Sequence, residues 1–147
     1  RPFAEVAKGF TPFRRGDILI AKITPCFENG KIALADNLSH EIGFGTTEFH
    51  VFRASKSINA IYLFNHLRLP YILKFGAMKM RGAAGQRRVP IDFFAKLKVP
   101  IPPLDLQQRF AEIVSSVEEQ KAKMRKHLEQ LDDLFGSLQQ RAFRGDL

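Results

Sequence analysis

The segment Gly82-Ala83-Ala84-Gly85-Gln86-Arg87-Arg88 gathers residue types that bind anions: glycines that free the backbone, an amide, and two adjacent guanidinium groups. It is not an ATP cradle, because no Lys-Ser/Thr follows the glycines. The other candidates for chemistry are weaker. Cys26 is the single cysteine, with no histidine placed to activate it, and reads as a small residue beside a turn. His40, His50, His66 and His127 are scattered and form no metal-ligand spacing. Gly43-Phe44-Gly45 lacks the third glycine of a dinucleotide fingerprint. Pro102-Pro103-Leu104 lacks both the acid or amide and the aromatic of an adenine-methylating motif. Glu119-Gln120-Lys121 matches the short half of a magnesium-binding nuclease pattern, but its spacing equally suits the solvated flank of a helix. The expectation is a non-catalytic chain with no metal or cofactor of its own.

What remains is a binding surface, and the charge says where it lies. Residues 1–104 carry 16 Lys/Arg against 7 Asp/Glu, whereas residues 105–147 carry 7 against 8, so the net charge of +8 resides in the first part. A polyanion finds its target there. Arg14, Arg15, Lys22 and Lys31 are expected around a first hairpin, and Lys79, Arg81, Arg87 and Arg88 around the glycine-punctuated loop. Gln86 suits an adenine edge or the backbone, while Thr24 and Thr46 suit phosphate or a thymine methyl. The single cysteine excludes a disulfide framework and fits a reducing cytoplasm. No apolar run reaches the roughly 18 residues of a membrane span.

The elements that must position these residues fall into two parts. Residues 1–104 alternate short strand-like runs with turns. Ile18–Ile23 and Lys31–Ala35 are expected to pair through a hairpin at Asn29-Gly30, and residues 45–53 alternate as a half-buried strand. Two short helices follow, one on Ile58, Ile61, Tyr62 and 64–67, the other on Tyr71, Ile72, Phe75 and Met78. Val89-Pro90-Ile91 and residues 97–101 read as edge strands. The whole is expected to be a small α+β domain. Arg1-Pro2 looks like a cut inside a longer protein.

After Pro100-Ile101-Pro102-Pro103-Leu104, Asp105 stands at the expected N-cap, with Gln108 completing a capping box. The helix then runs to about Ala142, on the order of 55 Å. Phe110, Ile113, Val117, Gln120, Met124, His127, Leu131, Leu134 and Leu138 alternate in steps of three and four, a heptad seam that seeks a second helix as a coiled coil. Gln120 and His127 within it would set register.

In order, GDILIAKITP, ENGKIAL, GFGTTEFHVFRA, RGAAGQRRVPIDFFAKLKVPIPPLDLQQRFAEIV and LQQRAFRGDL make the chain resemble the DNA-specificity subunit of type I restriction–modification systems. The resemblance implies one target-recognition domain, residues 1–104, that reads half of a split site on double-stranded DNA. Set against that family, the first strand or strands of the sheet would lie upstream of Arg1. It implies a conserved helix, residues 105–147, that acts as spacer. Methyltransferase subunits using S-adenosylmethionine, and a motor–nuclease subunit using ATP and magnesium, would be its partners. The helix should pair antiparallel with a sister repeat or a second copy, through residues 106–141. The competing reading is an assembly module that scaffolds partners through the helix and reads no DNA.

Overall fold

The computed structural model describes residues 3–6 and 8–146. A short helix α1 (Phe3–Val6) precedes five strands: β1 (Thr11–Arg14), β2 (Ile18–Ala21), β3 (Ile32–Leu34), β4 (Ile42–Gly45) and β5 (Phe49–Phe52). Then come α2 (Ala60–Leu67), α3 (Pro70–Lys79), α4 (Ile91–Ala95) and the long α5 (Leu104–Arg144). The chain is α+β and divides into two compact units, Arg1–Gln108 and Arg109–Leu147.

In the first unit β2 is the centre of a three-stranded antiparallel sheet, ordered β3-β2-β5, while β1 and β4 form a separate two-stranded ribbon. Ile18 and Ile20 alternate along β2 and are fully buried, as period-2 patterning requires of a strand with one face on the core. Phe27, Leu67, Met80, Val89 and Phe94 complete that core. Phe27 reaches it because α3 carries Gly76, where a Cβ would fall 2.4 Å from the phenyl ring. Asn59 caps α2, its side-chain oxygen accepting from the Ile61 and Tyr62 amides at 2.9 and 3.2 Å.

Several expectations are corrected. The link between β2 and β3 is not a two-residue hairpin. Residues 22–31 form successive turns, with the Phe27 amide donating to Ile23 and the Lys31 amide to Cys26, because burying Phe27 demands a longer excursion. The single strand expected over 45–53 is broken at Thr46-Thr47, so Gly45 belongs to the ribbon and Phe49 to the main sheet. Val89-Pro90-Ile91 does not continue as an edge strand. Arg88 makes only isolated bridges, and the chain then turns into α4, which buries Phe94. Residues 97–100 form no strand either. On α3 the core side is Ile72 and Gly76, leaving Tyr71, Phe75 and Met78 exposed.

The capping box at Asp105 does not form. The α5 helix starts one residue earlier, with the Pro103 carbonyl accepting from the Leu106 and Gln107 amides. Gln107, fully buried, anchors that first turn. Its carbonyl oxygen accepts from the Asn59 amide at 2.8 Å, and its amide nitrogen donates to the Pro102 and Ser57 carbonyls at 2.7 and 3.2 Å. From Leu104 to Arg144 α5 is continuous through Gly136 for 41 residues, about 60 Å at 1.5 Å per residue. No helix of the described residues is long and apolar enough to cross a membrane.

Candidate nucleic-acid interface

The register of the main sheet sorts the candidate residues. Ile18 pairs with Leu34 and Phe52 at one end of β2, and Ala21 pairs with Phe49 at the other. Asp17 and Lys22 therefore lie beyond opposite ends, about 16 Å apart along an extended chain. Arg14 and Arg15 belong to the Asp17 end. Lys22, Thr24, Lys31, Thr46, Arg81, Gln86, Arg87 and Arg88 come together at the Lys22 end, with Lys79 in the last turn of α3 nearby in sequence to Arg81. The expected grouping of Arg14 and Arg15 with Lys22 and Lys31 is thus corrected, because a strand, not a turn, separates them.

Backbone hydrogen bonds knit three segments at the Lys22 end. The Thr24 amide donates to the Arg87 carbonyl at 2.9 Å and the Val89 amide to the Lys22 carbonyl at 2.8 Å. The Lys22 amide donates to the Glu48 carbonyl at 2.9 Å. Arg81 and Arg88 exchange both their backbone bonds, at 3.0 and 2.8 Å, and so close the neck of the glycine loop. Inside the loop Gly82 has φ +123°, and a Cβ there would meet the Gln86 carbonyl oxygen at 2.9 Å. Only glycine lets the chain double back so tightly.

The side chains differ in what they are committed to. Arg88 forks onto Glu48, Nε to Oε2 and Nη2 to Oε1, both at 2.8 Å, and its Nη1 donates to the Gln86 carbonyl at 3.0 Å. The fork holds the Glu48 carboxyl below the usual carboxylate range, with Lys22 adding to the effect, and raises Arg88 above its ordinary value. Arg87 lies 3.6 Å from Glu28, a looser ion pair, and is half exposed. Thr24 donates its hydroxyl to Glu28 at 2.7 Å, so it is a strut of the connection rather than an open contact. Thr46 accepts from the Glu48 amide at 3.2 Å, shaping the turn that presents that carboxylate. Lys31, Lys79, Arg81 and Gln86 are exposed. A groove of about 460 Å³ opens beside Lys31, lined also by Leu19, Ala21, Ala33, Thr46, Glu48 and Phe49.

At the Asp17 end the chemistry is that of an anchor. Asp17, fully buried, accepts the Arg53 fork at 2.7 and 2.8 Å and the Arg14 amide at 2.7 Å. Those bonds, the Arg53 fork first, hold its carboxyl below the usual range against the opposing cost of burial. Arg14 and Arg15 border an open cleft with His40 and Glu41, and Arg15 donates to the Leu38 carbonyl at 2.7 Å. Sequence reasoning missed Asp17, Glu48, Arg53 and Gln107. An arginine 36 or 40 residues from its carboxylate leaves no local spacing to find.

Among the described residues no group of His, Cys, Asp and Glu could hold a metal ion. His50 is tied to the Val89 carbonyl at 2.9 Å, and burial pushes His66 down. Glu119 and Lys121 do not act together, since Glu119 pairs with Lys123 at 3.0 Å and Lys121 with Glu118 at 2.7 Å, all on the exposed helix surface. On α5 the seam positions Phe110, Ile113, Val117, Gln120, Met124, His127, Leu131, Leu134 and Leu138 are all exposed, as are Leu128 and Phe135 beside them.

The structure thus joins a basic surface on a small α+β unit to a long helix whose apolar stripe is exposed. Residues 3–132 match the family model of the type I restriction modification DNA specificity domain, and the chain belongs to that family. It is 43 % identical to the type I restriction enzyme EcoAI specificity subunit of Escherichia coli, over 94 % of this chain and 25 % of that protein. It is 44 % identical to the EcoEI specificity subunit of the same organism, over 74 % of this chain and 18 % of that protein. The chain thus spans about a quarter or less of the length of these relatives. Among solved structures, the crystal structure of the HsdS subunit from Thermoanaerobacter tengcongensis superimposes with a TM-score of 0.61 at 27 % identity, covering 78 % of this chain and 29 % of that one. A chain from a study of complex assembly and conformational transition of the type I R-M system shares the fold, with a TM-score of 0.67 at 21 % identity over 93 % of this chain and 33 % of that one.

Proposed function

We propose that this chain recognises DNA sequence within a type I restriction–modification complex, the Arg1–Gln108 unit reading one half of a bipartite site. Partner subunits would supply the chemistry: adenine methylation with S-adenosylmethionine, and cleavage by a motor–nuclease with ATP and magnesium. The reading rests above all on one observation. Segments around Lys22, Thr46 and Arg81–Arg88, distant in sequence, converge at one end of the sheet with a surplus of exposed Lys and Arg. The α5 helix serves as spacer, its exposed seam pairing antiparallel with a sister helix or a second copy.

Titration with mixed-sequence duplex DNA at low and moderate salt tests the first part. Binding should weaken linearly in log–log form as salt rises, and Arg87→Ala should reduce the slope by about 0.9, the share of one phosphate contact. No binding at either salt concentration would favour an assembly module instead. Sedimentation at roughly tens of micromolar, a range in which modest interfaces are populated, tests the helix. A monomer there would remove the pairing.

A further inference from the structure

The two adjacent arginines of the glycine loop are held in different ways. Arg88 spends three of its donors inside the protein, two on Glu48 and one on the Gln86 carbonyl. Its backbone closes the loop neck with Arg81 and bridges Ile23. Glu48 is equally placed by its surroundings: its amide donates to Thr46 Oγ1 and its carbonyl accepts from Lys22. One ion pair therefore joins the β4–β5 turn, the connection after β2 and the recognition loop. The Arg87 backbone is held by the Thr24 amide, but its guanidinium makes a 3.6 Å approach to Glu28, whose Oε1 already takes the Thr24 hydroxyl. For Arg87 to reach a phosphate, one loose contact must part. Arg88 keeps two of its five N–H donors, but the Glu48 carboxylate it grips already offsets its charge, so a phosphate there would meet a neutralised pair.

We infer that Glu48 and Arg88 are positioning residues for sequence discrimination: the fork fixes the loop that presents Gln86 and Arg87, and Arg88 itself neutralises no phosphate. The inference rests on the DNA-reading function proposed above. It has a chemical signature, because lysine matches arginine as a point charge toward phosphate but cannot make the planar two-point fork.

The test uses the full chain, unsubstituted and as Arg88→Lys, Arg88→Ala, Glu48→Gln and Arg87→Lys. Each is used to select from a randomised duplex pool and is then titrated with selected and mixed-sequence duplexes over a salt series. Arg88→Lys should retain the salt slope of the unsubstituted chain but lose roughly tenfold in the ratio of selected to mixed-sequence affinity, the scale of one misplaced base contact. Glu48→Gln should shift the ratio in the same direction by less. Arg88→Ala should also leave the slope unchanged, and Arg87→Lys should leave both quantities unchanged. Amide exchange at positions 81 and 88 should quicken in Arg88→Lys, Arg88→Ala and Glu48→Gln, and stay unchanged in Arg87→Lys. Full discrimination by Arg88→Lys, or a slope reduced by about one in Arg88→Ala, would overturn the inference while leaving DNA reading intact. If the unsubstituted chain selects no motif, the functional reading falls and the inference falls with it.

Discussion

Beyond one end of β2, Arg53 grips Asp17 with two hydrogen bonds; beyond the other, Arg88 grips Glu48 with two of nearly the same length. The geometry is the same and the surroundings are not. The Asp17 side chain has no exposed surface, whereas that of Glu48 is 32 % exposed. A buried carboxylate that loses its partners cannot turn to water, so the Asp17 fork holds the fold together. An exposed one can be resolvated, so breaking the Glu48 fork has little effect on folding and shows instead in the shape of the loop it braces. Burial, rather than bond count, decides whether an ion pair serves stability or recognition.

Four measurements would break or sharpen that contrast. Asp17→Ala leaves the part-buried Arg14 amide without its acceptor and releases the exposed Arg53 guanidinium to water, and should lower urea-unfolding stability by about 2 kcal/mol. Gln107→Ala extends the rule to a neutral anchor: stranding the Asn59 amide and two carbonyls should cost about 2 kcal/mol in the same assay. The third measurement is pH. The folded-state pKa of Asp17 lies below its unfolded value of about 3.9, so its contribution is present above that value and lost as pH falls through the folded pKa. The stability gap between the unsubstituted chain and Asp17→Ala should therefore close in acid. His66 acts in a higher window. Burial lowers its folded pKa, so its contribution is present above about pH 6.5 and falls as the pH drops toward the folded value. His66→Leu should flatten the stability slope just below about pH 6.5 and leave the acid limb in place. Last, Glu48→Gln should leave the unfolding midpoint where it is. A large shift there would place both forks in the same class.

How much of this was legible beforehand differs by element. The buried alternation of Ile18 and Ile20, the α2 helix and the long α5 all follow from local periodicity, and their residues are near in sequence. The β1 strand was not read as one, since Pro12 and Arg14-Arg15-Gly16 give it turn chemistry and its pairing with β4 lies some thirty residues away. The apolar spacing of α3 was correct in kind but misassigned in face. Gly76, invisible to any hydrophobic pattern, marks where the helix meets Phe27 and turns Tyr71, Phe75 and Met78 outward. The basic residues of the loop were found from composition. That Arg88 is occupied and Arg87 nearly free is a matter of what faces each one, and the facing groups, Glu48 and Glu28, lie 40 and 59 positions upstream.

The closed neck between Arg81 and Arg88 also bears on how freely the loop it carries can vary. Gly82 is fixed by its backbone and Arg87 by the Thr24 amide, so the stretch whose length and identity can vary is residues 83–86, which begin and end at one neck. Closing a longer loop on the same neck is inexpensive, about 0.6 kcal/mol for each doubling of its length. The tip can therefore be exchanged as a cassette, by recombination or by grafting, while the core that carries it stays as it is.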